Sequence, residues 1–279
     1  MNKSFQSILF LSTGRTGTKF LASVLRDTVP DADVFHEAGE RSRLINILSH
    51  ANLSGVTPAS LTLKAWQRAI SGPLDKSQES SNYYIDANNH IYILAVNHPD
   101  LYPGLKIVHI VRDPRTYTRS HLNWSHSRVK SFLANYLTPF WQPSGFLTGD
   151  MPLGEWLRLS KLERFAWVWS FKNKYINQLE GSPTPYLRIR FEDLFSEFNP
   201  GSTYQEILDF IGLTDNKTTE GYFQQTINAS KNRRIPEWTQ WSNSQCRIID
   251  HLCREGMEKY GYGNEPEWIK KIRQDGAKS

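Results

Sequence analysis

Short apolar runs alternate with longer segments of helical periodicity along this chain. Residues 8–11 form an uninterrupted apolar run, which is typical of a buried strand, and residues 19–26 place their apolar side chains on one helical face. The same reasoning predicts further strands at residues 33–37, 83–88, 105–111 and 186–191. Strands that alternate with helices indicate a central, mostly parallel sheet with helices on both faces, which is a three-layer α/β fold.

Helical patterns fill the segments between the predicted strands. Residues 52–81 are rich in glycine, proline and polar residues, and they are predicted to form a helix between surface loops. The periodicity breaks over residues 122–162, where charges are few and bulky aromatic residues are frequent. Further helices are predicted at residues 38–50, 162–179, 204–211 and 243–260.

Polar or charged residues lie at or just beyond the carboxyl ends of four of the predicted strands. They are Arg15, Glu37, Asn88 and Arg112. Parallel α/β sheets bind their ligands beyond the carboxyl ends of the strands, so we expect these four residues to lie at one edge of the sheet.

The turn at residues 12–19 joins the first predicted strand to the first predicted helix. A strand, a glycine-bearing turn and a helix direct backbone N–H groups and the helix dipole at one point, which suits an anion. Arg15 and Lys19 add cations there, and Thr16 and Thr18 add hydroxyl groups. A Walker A loop has four residues between its glycines, whereas only two residues separate Gly14 from Gly17 here. A turn of this kind that binds nothing remains the alternative.

Composition and charge restrict the class of protein. A length of 279 residues and a hydrophobic fraction of 39% predict a single globular domain spanning residues 1–279. A net charge of +5 is too small to indicate nucleic-acid binding and suits a pocket for a polyanionic small molecule. Only Cys246 and Cys253 are present, which indicates reduced, buried thiols, and no apolar leader or membrane span is recognisable, so a cytoplasmic location is expected.

Two segments resemble the nucleotide motifs of one enzyme family. Residues 12–19 resemble the 5′-phosphosulfate loop of the bacterial-type P-loop sulfotransferases, which use 3′-phosphoadenosine 5′-phosphosulfate (PAPS). Residues 110–120 resemble their 3′-phosphate motif, in which an arginine and a serine eight residues later hold the phosphate, as Arg112 and Ser120 would here. Residues 190–194 and 241–262 are also similar to segments of this family.

The resemblance implies in-line transfer of the sulfuryl group of PAPS to a hydroxyl or amine. A sulfuryl group carries less charge than a terminal phosphoryl group, so arginine, lysine and backbone donors can stabilise its transfer without a metal. No metal ligands are therefore predicted. Arg15 would contact the sulfuryl group and the leaving phosphate. The residues implied to bind the donor are Gly14, Arg15, Thr16, Gly17, Thr18, Lys19, Arg112, Ser120 and Arg233.

Glu37 is predicted to be the general base that deprotonates the acceptor. His36 is a second candidate, but if the strand continues this far, adjacent side chains point to opposite faces and only one of the two can face the site. Glu40 is a third candidate, and an ion pair between Glu37 and Arg41 is the structural alternative.

Several other residues are given structural or accessory roles. Asp113 is expected to cap the helix that follows it, and His109 to be a buried core residue. Asp86 and Asn88 are expected to be buried strand-end residues, with contact to the acceptor as the alternative.

The sequence says less about the acceptor, and it leaves two other functions open. The basic loop 231–234 is expected either to close over the nucleotide or to remain solvated. The aromatic segment 122–162 is a candidate lid for a small-molecule or glycan-like hydroxylated acceptor. A P-loop small-molecule kinase and a non-catalytic nucleotide-binding module stay open as alternatives.

Overall fold

The computed structural model describes residues 5–38, 42–127, 143–196, 201–215, 220–223 and 234–273. The chain divides into two compact units, which combine segments that are distant in sequence. The first unit contains residues 1–111 and 175–228, and the second contains residues 112–174 and 229–279. The prediction of one domain over residues 1–279 stays a prediction.

The first unit contains a five-stranded sheet in the described part of the chain, with the order β2-β3-β1-β4-β5. All four neighbouring pairs are parallel. The predicted mostly parallel α/β sheet is therefore confirmed, and the carboxyl ends of these strands share one edge. The strands are β1 (Gln6–Ser12), β2 (Ala32–His36), β3 (Tyr83–Ala87), β4 (Lys106–Val111) and β5 (Tyr186–Arg190).

The described helices occupy most of the remaining chain. They are α1 (Thr18–Thr28), α2 (Ser42–Leu53), α3 (Ala59–Trp66), α4 (Gly72–Ser80), α5 (Tyr92–Asn97), α6 (Pro114–Ser127), α7 (Gly145–Thr148), α8 (Leu153–Arg158), α9 (Lys161–Ile176), α10 (Phe191–Leu194), α11 (Ser202–Ile211), α12 (Glu220–Phe223), α13 (Asn243–Lys259) and α14 (Pro266–Arg273).

Helices cover the sheet of the first unit on both faces, because six of the seven residues of β1 and all five residues of β3 are buried. On one face, Ile8 and Phe10 of β1 pack in the core that includes α1 and α11. Tyr84 and Asp86 of β3 alternate with the residues of that core and belong to the opposite face. His109 is fully buried on β4, where its Nδ1 atom lies 2.6 Å from the hydroxyl of Tyr186, which confirms its structural role.

The prediction of a helix between loops within residues 52–81 is confirmed. Residues 59–80 form a continuous helical segment, with a π-helical turn at Gln67–Ser71 between α3 and α4. Gly72 and Pro73 do not interrupt it, since Pro73 falls in the first turn of α4, where a missing N–H group is tolerated. The predicted break at residue 122 is wrong, because helix α6 continues to Ser127.

The second unit is organised around α9 and α13. Trp169 is fully buried, and a Cβ atom on Gly256 would lie 2.8 Å from its ring, so only glycine allows this close packing. Cys246 and Cys253 are both buried and free, as predicted. None of the helices in the described residues has the length and apolar character needed to cross a membrane.

Candidate functional site

The turn after β1 has an unusual backbone. Gly14, Arg15 and Gly17 all adopt left-handed conformations, with φ angles of 89°, 58° and 73°. The amide of Gly14 donates a hydrogen bond to the hydroxyl of Ser12 at 3.1 Å. A left-handed non-glycine residue such as Arg15 costs about 1–3 kcal/mol and is characteristic of functional sites. The Arg15 side chain remains exposed at this turn, and desolvation lowers its pKa without removing the charge.

Buried hydroxyl groups line this turn. Thr13 and Thr16 are buried, and neither Oγ1 atom has a hydrogen-bond partner in the described part of the protein. Gly17 precedes α1 and supplies no side-chain cap to its first N–H groups, while Lys19 in the first turn is exposed. A buried hydroxyl group without a partner costs free energy, so these donors fit an anion.

Gly17 also lets the turn pack closely against aromatic residues of the first unit. A Cβ atom at Gly17 would lie 3.1 Å from the ring of Phe191. Phe191 packs against Phe195 with ring centroids 5.1 Å apart, and Phe195 packs against Phe20 of α1 at 5.2 Å. The positive φ and this close approach both require glycine.

Strand β2 ends one residue earlier than predicted, and this changes which side chains can face the site. The strand ends at His36, and Glu37 adopts a left-handed conformation with φ of 55°, so the alternation of a strand does not reach Glu37. Nε2 of His36 lies 3.4 Å from the hydroxyl of Thr18 at the start of α1. Oε1 of Glu37 accepts a hydrogen bond of 2.7 Å from Asn89, whose Cγ atom lies 3.5 Å from where a Cβ atom of Gly14 would be. Both side chains therefore border the turn at residues 12–19, which we call the phosphate turn because of its predicted role.

The two side chains differ in acidity. The contact with His90 lowers the pKa of Glu37 to about 2, against a smaller effect of desolvation that raises it. Desolvation lowers the pKa of His36, and the charges of Lys19 and Arg26 act in the same direction, although the carboxylate of Glu37 opposes them. At neutral pH Glu37 is ionised and His36 is neutral.

The β3 exit segment, which we define as residues 86–90, lies directly behind Glu37. Asp86 is fully buried and accepts hydrogen bonds from the amide of Ala38 at 3.1 Å, from Nδ2 of Asn88 at 3.0 Å and from the hydroxyl of Tyr84 at 3.4 Å. Burial raises the pKa of Asp86 to about 6, although these hydrogen bonds lower it. Asp86 and Asn88 are thus buried strand-end residues, as expected.

The residues predicted for the 3′-phosphate lie in the second unit. Nε of Arg112, which directly follows β4, donates a hydrogen bond of 3.0 Å to the hydroxyl of Thr116. Thr116 and Ser120 are one helical turn apart on α6, so they share a face of that helix. Thr116 was not singled out from the sequence, although its spacing of four residues from both Arg112 and Ser120 was a usable signal. Arg112 is anchored through its carbonyl oxygen, which accepts a hydrogen bond of 2.7 Å from Trp169.

Asp113 caps α6, as predicted, because its Oδ1 atom accepts a hydrogen bond of 2.8 Å from the amide of Arg115. Arg115 was not singled out from the sequence, although it is only 2% exposed. Its guanidinium group is 2.6 Å from both Asp113 and Glu265, and its Cζ atom lies 4.6 Å and 4.9 Å from the ring centroids of Trp238 and Trp268. Burial acts to lower the pKa of Arg115, but the two carboxylates outweigh it and raise the pKa.

Several predicted site features fall outside the described residues. These are Glu40, Arg41, Lys231, Arg233 and residues 128–142 of the aromatic segment. Next to the basic loop, Arg234 is exposed, and the following residues are held on α6. Arg119 lies 2.6 Å from Glu237, and Asn123 accepts a hydrogen bond of 2.9 Å from the amide of Ile235. In the described part of the aromatic segment, Trp156 is buried and packs edge-on against a second tryptophan of its unit.

Comparison with known proteins identifies the family. Residues 6–263 match the sequence model of the sulfotransferase domain family, so the chain belongs to that family. Carbohydrate sulfotransferase 2 from Mus musculus and from Homo sapiens are each 24% identical to this chain over an alignment covering 60% of it. That alignment covers only 37% of those relatives, so the chain spans little more than a third of their length.

Solved structures share the fold. The sulfotransferase domain from the curacin biosynthetic pathway superimposes with a TM-score of 0.51, covering 93% of this chain and 98% of that domain at 14% identity. Sulfotransferase STF9 from Mycobacterium avium gives a TM-score of 0.50, covering 92% of this chain and 77% of that protein at 12% identity. The family and the α/β fold predicted from the sequence are both confirmed, and membership of this family indicates a transferase.

Proposed function

We propose that this protein transfers the sulfuryl group of PAPS to a hydroxyl or amine acceptor by metal-independent, in-line displacement. The observation that carries the proposal is the turn after β1, where Thr13 and Thr16 keep buried hydroxyl groups without partners in the described chain. Two groups able to accept a proton, Glu37 and His36, border the same turn. Membership of the sulfotransferase domain family supports this reading.

The donor would be held at both of its phosphate ends. The backbone amides of residues 14–19, the hydroxyls of Thr16 and Thr18, and the ammonium group of Lys19 bind the 5′-phosphosulfate in this proposal. Arg15 stabilises the negative charge that develops on the bridging oxygen. Arg112 and Ser120 bind the 3′-phosphate, with Thr116 orienting Arg112 through its hydrogen bond. Arg233 of the basic loop closes over the nucleotide.

The proton of the acceptor would pass to Glu37. Asn89 holds Oε1 of Glu37, whereas Oε2 accepts no hydrogen bond from the described residues. A carboxylate with a pKa of about 2 is ionised throughout the physiological range, so Oε2 carries no proton at any physiological pH, but it is a weaker base than a neutral imidazole. His36, a neutral imidazole at pH 7, is the alternative base.

The proposal also includes a glycan-like acceptor and a cytoplasmic location. The named activity of the mammalian relatives is directed at carbohydrate, which supports a glycan-like hydroxylated acceptor for this chain. The aromatic segment 122–162 would cover the acceptor, since aromatic rings with polar edges suit sugars. The cytoplasmic location rests on two cysteines that are both free.

Nucleotide binding and transfer can be tested together. Adenosine 3′,5′-bisphosphate should bind to the protein, and Arg112→Ala should weaken that binding about tenfold or more, since a charge-assisted hydrogen bond to phosphate is lost. Arg158→Ala, which removes an exposed arginine of α8 in the same unit, is the matched control and should change the affinity less than twofold.

The transfer assay uses labelled PAPS and a panel of hydroxylated acceptors in the presence of a chelator. Transfer of label in chelator supports the proposed reaction. Mg²⁺-dependent consumption of a nucleoside triphosphate would instead identify a kinase, and tight nucleotide binding without transfer to any acceptor would identify a binding module.

A further inference from the structure

The backbone around Glu37 is fixed to β3 from both sides. The amide of Glu37 donates a hydrogen bond of 3.2 Å to the carbonyl of Ala87, which extends the ladder between β2 and β3 by one residue. The next amide, that of Ala38, donates to Oδ1 of Asp86 at 3.1 Å. These two bonds hold Glu37 in its left-handed conformation, which a non-glycine residue keeps only when its surroundings enforce it.

The side chain of Glu37 is held by the same β3 exit segment. Oδ2 of Asp86 accepts from Nδ2 of Asn88 at 3.0 Å, and Oδ1 of Asn88 accepts from the amide of His90 at 2.9 Å, which forms an Asx turn. This turn presents Asn89 and His90 to Glu37. Oε1 of Glu37 lies 2.7 Å from Nδ2 of Asn89 and 3.5 Å from Nε2 of His90.

Asp86 therefore takes part both in the contacts that hold the backbone of Glu37 and in those that hold its side chain. Its exposed fraction is 0%, and in the described part of the chain no lysine or arginine forms an ion pair with it. A carboxyl group this deep, held only by neutral donors, is expensive to bury. An apolar residue would fill the space at lower cost, but it could not accept hydrogen bonds from Ala38 and Asn88 at once.

We propose that Asp86 is a positioning residue for Glu37. It acts through the backbone at Ala38 and through the turn that begins at Asn88, and it contacts neither the sulfuryl donor nor the acceptor. Its role is to keep Oε1 of Glu37 bound to Asn89 and His90, so that Oε2 remains available for the proton of the acceptor. This inference rests on the proposed function of Glu37.

Asp86→Asn is the sharpest single change. Ala38 donates to Oδ1 of Asp86 and Asn88 donates to Oδ2, and an asparagine replaces one of these two oxygens with a donor NH₂ group, so only one of the two bonds is kept. We expect kcat to fall about tenfold or more, because a displacement of the base by about 1 Å is enough to lose up to about a hundredfold in rate. The affinity for adenosine 3′,5′-bisphosphate and the KM for PAPS should stay within about twofold, since the phosphate turn is untouched.

Asp33→Asn is the matched control. Asp33 is a half-buried carboxylate on the neighbouring strand β2, where it accepts an exposed hydrogen bond from the hydroxyl of Ser80. The kcat of Asp33→Asn should equal that of the wild type. A wild-type kcat for Asp86→Asn as well would overturn the inference.

A double-mutant cycle separates positioning from a general structural role. If Asp86 acts only through Glu37, then adding Asp86→Asn to Glu37→Gln should leave kcat within about twofold of the Glu37→Gln value. A second loss that multiplies the first would show that Asp86 acts independently of Glu37, and the inference would be wrong. An inactive wild type would defeat the proposed function itself, which is a distinct result.

Asn89→Ala keeps the test decisive if Asp86→Asn does not fold. Asn89 is only half-buried, and its replacement removes the shortest contact to Oε1 of Glu37. We expect kcat to fall about fivefold or more, again with no further loss in the Glu37→Gln background. An unchanged kcat would eliminate the Asn89 arm of the positioning network and with it the inference.

Discussion

Two neighbouring residues, His36 and Glu37, border the phosphate turn and differ in acidity. The end of β2 at His36 and the left-handed conformation of Glu37 bring both side chains to the same edge of the sheet. Glu37 is the more acidic of the two, because of its contact with His90, and is ionised at every physiological pH. His36 is the stronger base once neutral, and desolvation favours that neutral form.

The pH dependence of the rate distinguishes the two bases. If Glu37 is the base, its own titration should give no acid limb in kcat/KM between pH 5 and pH 8, because acidification protonates Glu37 only near its pKa of about 2. A limb near pH 6 that His36→Asn leaves in place would come from Asp86, whose pKa is about 6. Glu37→Gln should lower kcat about a hundredfold or more, the usual contribution of a general base, without weakening nucleotide binding.

His36→Asn provides the companion measurement and should lower kcat less than Glu37→Gln does. The pKa of His36 lies below its ordinary value, so a histidine base would be protonated, and lost, as the pH falls below about 6.5. An acid limb in that region, abolished by His36→Asn, would transfer the role of base from Glu37 to His36.

At the level of elements, packing between α1 and the residues after β5 supports the phosphate turn. Gly17 joins the turn to α1, and a Cβ atom on it would lie 3.1 Å from the ring of Phe191, the first residue after β5. Phe20 of α1 packs into the same aromatic group through Phe195. The turn is therefore supported by the core of the first unit, which is how a strained backbone is kept in one conformation.

Gly17→Ala should lower the free energy of unfolding more than Gly55→Ala does. The two glycines have matching φ angles of 73° and 75°, but a Cβ atom at Gly55 would meet no atom within 4 Å. Gly55→Ala therefore measures the strain of a left-handed alanine, about 1–2 kcal/mol, and we expect Gly17→Ala to cost about 1 kcal/mol more.

Urea unfolding of the two variants and the wild type provides the measurement. Equal losses for Gly17→Ala and Gly55→Ala would mean that Phe191 moves aside freely and does not support the turn. A difference between them would locate the extra cost at the contact with Phe191.

At the scale of the whole molecule, Arg115 links segments that are far apart in sequence. Within the second unit its guanidinium group binds the cap residue Asp113 and also Glu265, 150 residues later, and it contacts the rings of Trp238 and Trp268. Asp113 directly follows Arg112, so this contact also fixes the start of α6 next to a residue proposed to bind the nucleotide.

Arg115→Lys should lower the free energy of unfolding by about 2–4 kcal/mol, although it keeps the charge. An ammonium group cannot bind two carboxylates in bidentate fashion or reproduce the contacts of the planar guanidinium group with the two rings, so it leaves buried charge poorly paired. Arg158→Lys on the exposed face of α8 should change stability by less than about 0.5 kcal/mol. Urea unfolding followed by tryptophan fluorescence measures both, and a loss for Arg115→Lys as small as that of the control would contradict a structural role for this contact.

The sequence by itself determined the features that depend on local chemistry. Short apolar runs and helical periodicity were enough to predict β1, β4 and the parallel sheet, because a strand buried on both faces is apolar throughout, whereas a helix buried on one face repeats every 3.6 residues. The spacing of Gly14 and Gly17 indicated the phosphate turn, since left-handed positions favour glycine. The cap at Asp113 was predictable because an N-cap involves only neighbouring residues.

Only the tertiary structure decided the contacts between distant segments. The orientation of Glu37 depends on where β2 ends and on the register of β3, which places Asp86 beside Ala38. Likewise, Arg115 meets Glu265 only after the second unit has folded. Local propensity fixes which residues form a strand or a helix, but it carries no information about which distant side chain will satisfy a buried donor or charge, and packing and hydrogen-bond satisfaction settle that choice.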